Sequence, residues 1–474
     1  MNATDGPHDK RQAILIADLG YGDAGKGATV DYLARLTAAH IVVRYNGGAQ
    51  AAHNVVAPDG RHHTFAQFGS ATFLPGVRTH LSRFMVLHPL AMVHEAEHLR
   101  ALGITDALTR TTIDGDALVI SPYQQAANRL RELARGAGRH GSCGLGVGET
   151  VGDALVHPDL VLRARDLPDR TLTARKLAAL RDLKAAQVAS LQVCQEQHAV
   201  AAAARERAVF DDLTLVRDHL ALYRTLARAV TLVDGDYLPR VLRMPGTVLF
   251  EGAQGVLLDE WHGFHPYTTW STTTFRWAQQ LLDEAGYGAP IVRLGVLRAY
   301  ATRHGAGPFV TEDPELAARL SEPHNGTNAW QERFRCGHLD LVAARYALEV
   351  AGGVDALVVT HLDALRTFDR ARAAVAYRPA LDLDPALVAG VADVCGGAIT
   401  RLRPCWERNL AYQEQLTALA ARSAPMYVDV GRGTDDEAFL SVLEGALHAP
   451  IALTSYGPGP DDRRRHASLG RLLC

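Results

Sequence analysis

No C-x-x-C pair occurs in the 474 residues, and the six cysteines (Cys143, Cys194, Cys336, Cys395, Cys405, Cys474) are widely scattered. That spacing argues against both a zinc site and a disulfide framework, and it favours a reducing compartment. No apolar run approaches the length needed to cross a bilayer. The opening MNATDGPHDKRQ has no apolar core of a signal peptide, so residues 1–12 read as a disordered tail and a cytoplasmic protein is expected. An excess of charge is missing too. A net charge of −3 gives no global pull toward nucleic acid or an anionic membrane. Function must therefore reside in sites, and a 47% hydrophobic content supplies core enough to carry them.

Short apolar runs recur at Ala13–Ala17, Ile41–Val43, Ala117–Ile120, Val248–Phe250, Ile291–Val296, Ala356–Thr360, Met426–Val430 and Ile451–Leu453. Most are uninterrupted and rich in Val, Ile and Leu, as strands buried on both faces are. Helical patterns alternate with several of them, such as GKGATVDYLARL after the first, SPYQQAANRLRELARG after the third and DLVAARYALEVAGG before VDALVVTHLDAL. The alternation predicts an α/β fold with a large, mainly parallel central sheet flanked by helices. Residues 169–232 are rich in Ala, Arg and Leu with almost no Gly or Pro, which predicts a helical subdomain inserted beside the sheet. No repeat or flexible linker is visible. The expected organisation is one domain over 13–460 and a C-terminal tail over 461–474.

The stretch DLGYGDAGKGATVDYL, residues 18–33, reads G-x4-G-K from Gly20. A strand, a glycine-rich turn and a helix start form a ready anion site, where backbone N–H groups and the helix dipole point into the turn. Lys26 adds a point charge. A phosphate-loop NTPase would have Ser or Thr next, yet Gly27 stands there, and an acid, Asp23, sits inside the loop. A carboxylate among phosphates is repulsive unless it holds a metal or does acid–base work. Further on, VVRYNGGAQAAHNVV brings His53 just beyond a Gly-Gly turn. A lone histidine is more often structural; beside an acid-bearing phosphate loop, an acid–base pair becomes the better reading.

GDAGKG followed by RYNGGAQAAHNVV resembles the adenylosuccinate synthetase family, whose equivalents run roughly WGDEGKGK and GGNNAGHTVV. The resemblance continues through LFEGAQGVLLDEWHGFHPYTTWSTTT, YATRHGAGPFVTE, RCGHLDLVAARYALEVAGGVDALVVTHLDAL and SYGPGPDDR, in order over most of the chain. It implies a homodimeric ligase that uses GTP and Mg2+. The enzyme phosphorylates O6 of IMP, after which the amino group of L-aspartate displaces phosphate. By the resemblance, Asp23 is the base at N1 and a magnesium ligand together with the carbonyl of Ala52. His53 attends the oxygen, Lys26 neutralises the moving phosphoryl group, and Gln254 lies beside the purine O6. Contacts to GTP fall on Gly22, Asp23, Gly25, Lys26, Gly27, His53, Asn54, Arg335, His361, Asp363, Ser455, Tyr456 and Gly457. Asp363 would accept from guanine N1–H and the 2-amino group, with His361 where the family carries Lys. The acceptor falls to Gln50, Ser142, Cys143, Gln254 and Thr269, and the amine substrate to a loop with Asn328, Glu332 and Arg333.

The acceptor end departs from the pattern. The family's GTTGRGIGPAY reads GSCGLGVGETV, with Leu145 for the arginine and Glu149 for the proline, and an arginine expected from the partner subunit falls nearest His157. The amine loop TTGRxRR(C/T)GW reads AWQERFRCGH, with Glu332 in an arginine's place. Trp261 and the helical insertion are expected to reshape the acceptor pocket. IMP with aspartate, a different acceptor or amine in specialised metabolism, a GTP-dependent kinase without ligation, and a GTP-binding regulator all stay open.

Overall fold

The computed structural model describes residues 11–473 apart from Gln195, Ser321, Pro323, His324, 327–329, Glu332 and 432–434. The expected tail thus falls almost wholly outside the described residues, and the first strand begins at Arg11.

A ten-stranded sheet organises the molecule. Its strands, numbered in chain order, are β1 (Arg11–Asp18), β2 (Ile41–Arg44), β3 (Arg78–Leu81), β4 (Thr111–Asp114), β5 (Thr231–Val233), β6 (Gly246–Glu251), β7 (Ile291–Arg298), β8 (Ala356–Thr360), β9 (Ile451–Ser455) and β10 (Arg463–Arg465). Their spatial order is β5-β4-β3-β2-β6-β1-β7-β8-β9-β10. Every pairing is parallel except β9 with β10. β1 is central, with Ala13 beside Val248 on one side and Ile291 on the other. All but its first residue are buried, which explains why AILIA reads as an uninterrupted apolar run. One face of the sheet is covered by a large cluster including Phe250, Leu282 and Tyr346, the other by Val30, Leu33 and Leu453.

Three expectations need correction. The run Met426–Val430 contributes its first four residues to strand Ser423–Asp429 of a second sheet, paired antiparallel to Arg372–Pro379. Ala117–Ile120 contributes Leu118–Val119 to a separate three-stranded sheet. Residues 461–474 are not a tail: β10 extends the central sheet, helix Ala467–Leu472 follows, and Leu469 and Leu472 pack into the core. The helical insertion is present as Arg170–Val188, Gln197–Asp211 and Thr214–Ala229, and it ends in edge strand β5.

Parallel sheets gather ligands at the carboxyl ends of their strands, where the connecting loops diverge. Here the segments leaving β1, β2, β6, β7, β8 and β9 all contribute to the wall of one cavity of about 960 Å³.

Candidate active site

Between β1 and the helix Lys26–Thr37, the loop turns through Gly22, Asp23 and Gly25, all at positive φ. Its shape is set from inside by Asp18, the last residue of β1, which is fully buried. One carboxylate oxygen accepts from the N–H of Gly20 at 2.8 Å, and the other from Ala24 N–H at 2.9 Å and Lys26 Nζ at 2.9 Å. Lys26 is itself only 3% exposed. Its charge is therefore tied to Asp18, a residue to which the sequence assigns no role.

Gly27 has a steric cause. A Cβ there would stand 2.6 Å from Cβ of His53, so the hydroxyl residue of a phosphate-loop NTPase has no room. His53 opens the hairpin strand His53–Val56 and is buried. Its Nδ1 meets Glu251 Oε1 at 2.5 Å, while its Nε2, on the cavity wall, has no hydrogen-bond partner among the described residues. Glu251, at the end of β6, also accepts from the N–H and hydroxyl of Ser70. Burial raises the Glu251 pKa, but Arg44, His53 and Ser70 outweigh it and hold the group at about 2. Burial lowers the His53 pKa, and the charge and hydrogen bond of Glu251 pull the other way. The ionised carboxylate thus fixes the Nδ1–H tautomer and leaves the Nε2 lone pair facing the cavity.

Gln254 sits at positive φ with both amide atoms buried and unpartnered. An unsatisfied buried amide is costly, so its orientation toward the cavity marks a ligand-facing group. Asn46 holds that segment by accepting from Ala253 N–H at 2.7 Å and donating to the carbonyls of Ala253 and Thr272. The same loop can touch the phosphate-type loop because Gly255 has no Cβ; one would lie 2.1 Å from the Gly20 carbonyl oxygen. Gln50 Oε1 is likewise buried and unpartnered.

At the far end, His361 follows β8 in a left-handed conformation and accepts from Arg298 at 3.2 Å. Arg298 is anchored by Glu322 at 2.5 Å. Burial first, then Arg298 and Arg463, push the His361 pKa well below the ordinary value. Asp363, Ser455 and Gly457 line this end, with Asp363 exposed. β10 brings in Arg463, a buried guanidinium whose Nε and Nη1 are unpartnered. Burial lowers its pKa to about 10, and Asp31 pulls the other way.

The cavity thus brings together Gly22, Asp23, Gly25, Lys26, Gly27, Gln50, Ala52, His53, Asn54, Ser142, Cys143, Gln254, Thr269, His361, Asp363, Ser455 and Gly457. Three expected contacts fall off its wall. Arg335 is drawn into a second, smaller cavity by Glu312 and the carbonyls of Gly305 and Gly307. Exposed Arg333 faces Glu312 at 3.5 Å, and the ring of Tyr456 packs under Arg464. Asn328 and Glu332 lie outside the described residues. Leu145 is off the wall, whereas Glu149 and His157 are on it. Trp261 does not reshape the cavity: Asp259 accepts the N–H groups of Trp261 and His262, and the ring lies under Arg408. The subdomain does reach the cavity, through Lys184 and Gln187.

Besides Asp18, Glu251 and Arg463, the sequence leaves His304 unassigned. Its Nε2 lies 3.3 Å from Asp23 Oδ2, and its Nδ1 is buried and unpartnered. All four lie inside motifs quoted above, yet the sequence alone assigns none a role: Asp18 acts within its own loop, whereas Glu251, His304 and Arg463 join the site through segments far apart in the chain.

Two solved structures have a similar fold. The fully ligated adenylosuccinate synthetase from Plasmodium falciparum aligns with a TM-score of 0.72 at 20% identity, over 96% of this chain and 99% of that one. The cyanophage S-2L succinoaminodeoxyadenylate synthetase, bound to dGMP and to dATP as an energy donor, aligns with a TM-score of 0.54 at 17% identity, over 98% and 99%. Among relatives by sequence, the adenylosuccinate synthetase of Anaeromyxobacter dehalogenans is 34% identical over 369 residues, 77% of this chain and 80% of its own length. That of Streptomyces coelicolor is 30% identical over 456 residues, covering 95% and 98%. The family model for adenylosuccinate synthetase matches residues 15–463. With that match spanning residues 15–463, the chain belongs to the adenylosuccinate synthetase family of carbon–nitrogen ligases.

Proposed function

We propose that this enzyme uses GTP to phosphorylate the 6-oxo group of a purine-like acceptor, and that an amine then displaces the phosphate. The carrying observation is the ring of unsatisfied polar atoms on one cavity wall: His53 Nε2 and both amide atoms of Gln254, close to the loop that bears Asp23. A lactam oxygen is a poor leaving group until it is phosphorylated, and a poor nucleophile until N1 loses its proton. Asp23 takes that proton. The oxygen forms its bond to the γ-phosphorus as the bond to the β-phosphate oxygen breaks and GDP leaves. The amine nitrogen then attacks C6, the C–O bond breaks, and phosphate departs while the amine sheds one proton. Gln254 orients the acceptor's amide edge. His53, braced by Glu251, takes or returns a proton at Nε2 beside the reacting oxygen. Lys26, with Asp18, brings fixed charge to the loop.

Asp23 and the carbonyl of Ala52 would be the protein's donors for Mg2+. No cage of three or more His, Cys, Asp or Glu exists among the described residues, which suits a hard cation that completes its shell with phosphate oxygens and water. Bound there, the ion would neutralise charge on the phosphates. Asp363 reads the guanine edge and His361 packs beside it. Apolar Leu155 and Val156 stand exposed at the end of the helix Val147–Val156, which favours a homodimer.

Incubation with GTP, Mg2+, IMP and L-aspartate, followed by mass measurement, tests the reading. A C–N product with GDP supports it, whereas a phosphorylated acceptor alone would make the enzyme a kinase. Asp23→Asn should abolish GDP release, and unchanged release would remove the base from the scheme.

A further inference from the structure

One arm of the cavity runs between the helix Val147–Val156, the helix Pro122–Arg135 and the subdomain helix Arg170–Val188. Its three side-chain cations, among the described residues, are Arg131, Arg135 and Lys184. Lys184, 2% exposed, donates to Glu149 Oε2 at 2.7 Å and Gln187 Oε1 at 3.0 Å and is ion-paired with Asp153 Oδ1 at 2.6 Å. Arg131 donates to the other oxygen of Glu149 at 2.8 Å, and Arg135 pairs with buried Glu132. The second oxygen of Asp153 accepts from Gln124 at 2.8 Å. Three cations thus face three carboxylates, and among the described residues of this chain no side-chain cation of the arm is left unpaired.

The arm also has an aromatic wall. Trp270 is half exposed and lies across the helix start, where a Cβ on Gly148 would come within 2.7 Å of the indole. A phosphate dianion entering here would have to break buried ion pairs and lie against carboxylates. A neutral group can rest on the indole and exchange hydrogen bonds with the rim of the network.

Resting on the ligase reading above, we infer that the acceptor carries no phosphate. It is a neutral purine-like nucleoside rather than the corresponding nucleotide. Glu149 and Asp153 set this preference by holding Lys184 away from any incoming anion.

The test is GDP release by the full chain with GTP, Mg2+ and either inosine or IMP, with and without L-aspartate. The expected kcat/KM for inosine exceeds that for IMP at least tenfold. Equal or higher efficiency with IMP overturns the inference and leaves the ligase standing; no GDP release with either overturns both. The double variant Glu149→Gln, Asp153→Asn frees Lys184 and should move the preference at least tenfold toward IMP. Glu149→Gln alone, checked by its melting curve, serves if the double variant does not fold. An unmoved preference in a folded variant would take Lys184 out of acceptor selection.

Discussion

Position 27 decides what kind of phosphate loop this chain can have. Replacing Gly27 by Ser would not restore a magnesium-binding hydroxyl, because the new Cβ runs into Cβ and the backbone carbon of His53. Gly27→Ser is therefore expected to lower kcat by about a hundredfold, the scale of a displaced acid–base group, with GDP release as the readout. Retained activity would mean that the hairpin yields easily. The same scale applies to Glu251→Gln, which keeps the volume but loses the charge that fixes the His53 tautomer. Its kcat should fall about tenfold to a hundredfold while the KM values hold, and the pH–rate profile should shift in the same variant. Asp23, His53 and Gln254 were legible in the sequence because each sits in a short run of glycines and polar residues that has little structural reason to exist. Glu251 was not. It ends an apolar strand, and only the register of β6 against β2 brings it under a histidine almost two hundred positions earlier.

At the level of elements, β10 carries the least expected part of the site. Its antiparallel pairing with β9 brings Arg463 to the wall of the proposed nucleotide end of the cavity, with two guanidinium nitrogens unpartnered. Arg463→Met should raise the KM for GTP about tenfold with little change in kcat, as the loss of a ground-state contact does; a fall in kcat alone would contradict that role. The central strands β1, β2, β6, β7, β8 and β9 were readable as apolar runs. β3, β4 and β5 were not, since RTHL, TTID and TLV look like loop sequence. Their polar groups are satisfied inside the fold: Thr79 Oγ1 accepts from Gly69 N–H at 3.0 Å, and His80 pairs with Thr112 at 3.0 Å. Alternation of polarity carries no signal where polar side chains are buried and bonded.

Over the whole molecule, buried histidines set how stability depends on pH. Burial holds His80 at about 3 and His88 at about 4, and pushes His53 and His361 down as well. The unfolded chain takes up protons at these positions below about pH 6.5, where the folded chain refuses them. Proton uptake then favours unfolding, so stability is full above that pH and falls as pH drops toward the folded values. Each such group contributes a slope of about 1.4 kcal/mol per pH unit within its window. Tm should decline steadily from pH 7 to pH 5, and His80→Asn should flatten the decline; a level Tm over that range would refute the account. Glu251, held at about 2, adds a further loss only below its ordinary value near 4.5.

The proposed nucleotide end of the cavity is built from the loop after β1 and from β10, which lie at opposite ends of the matched segment. During synthesis the loop leaves the ribosome long before Arg463 does. On the proposed GTP reading, the growing chain can form most of its sheet while that end of the cavity still lacks Arg463. A chain truncated before β10 is therefore expected to bind GTP more weakly than the full chain, even with Asp23 and His53 in place.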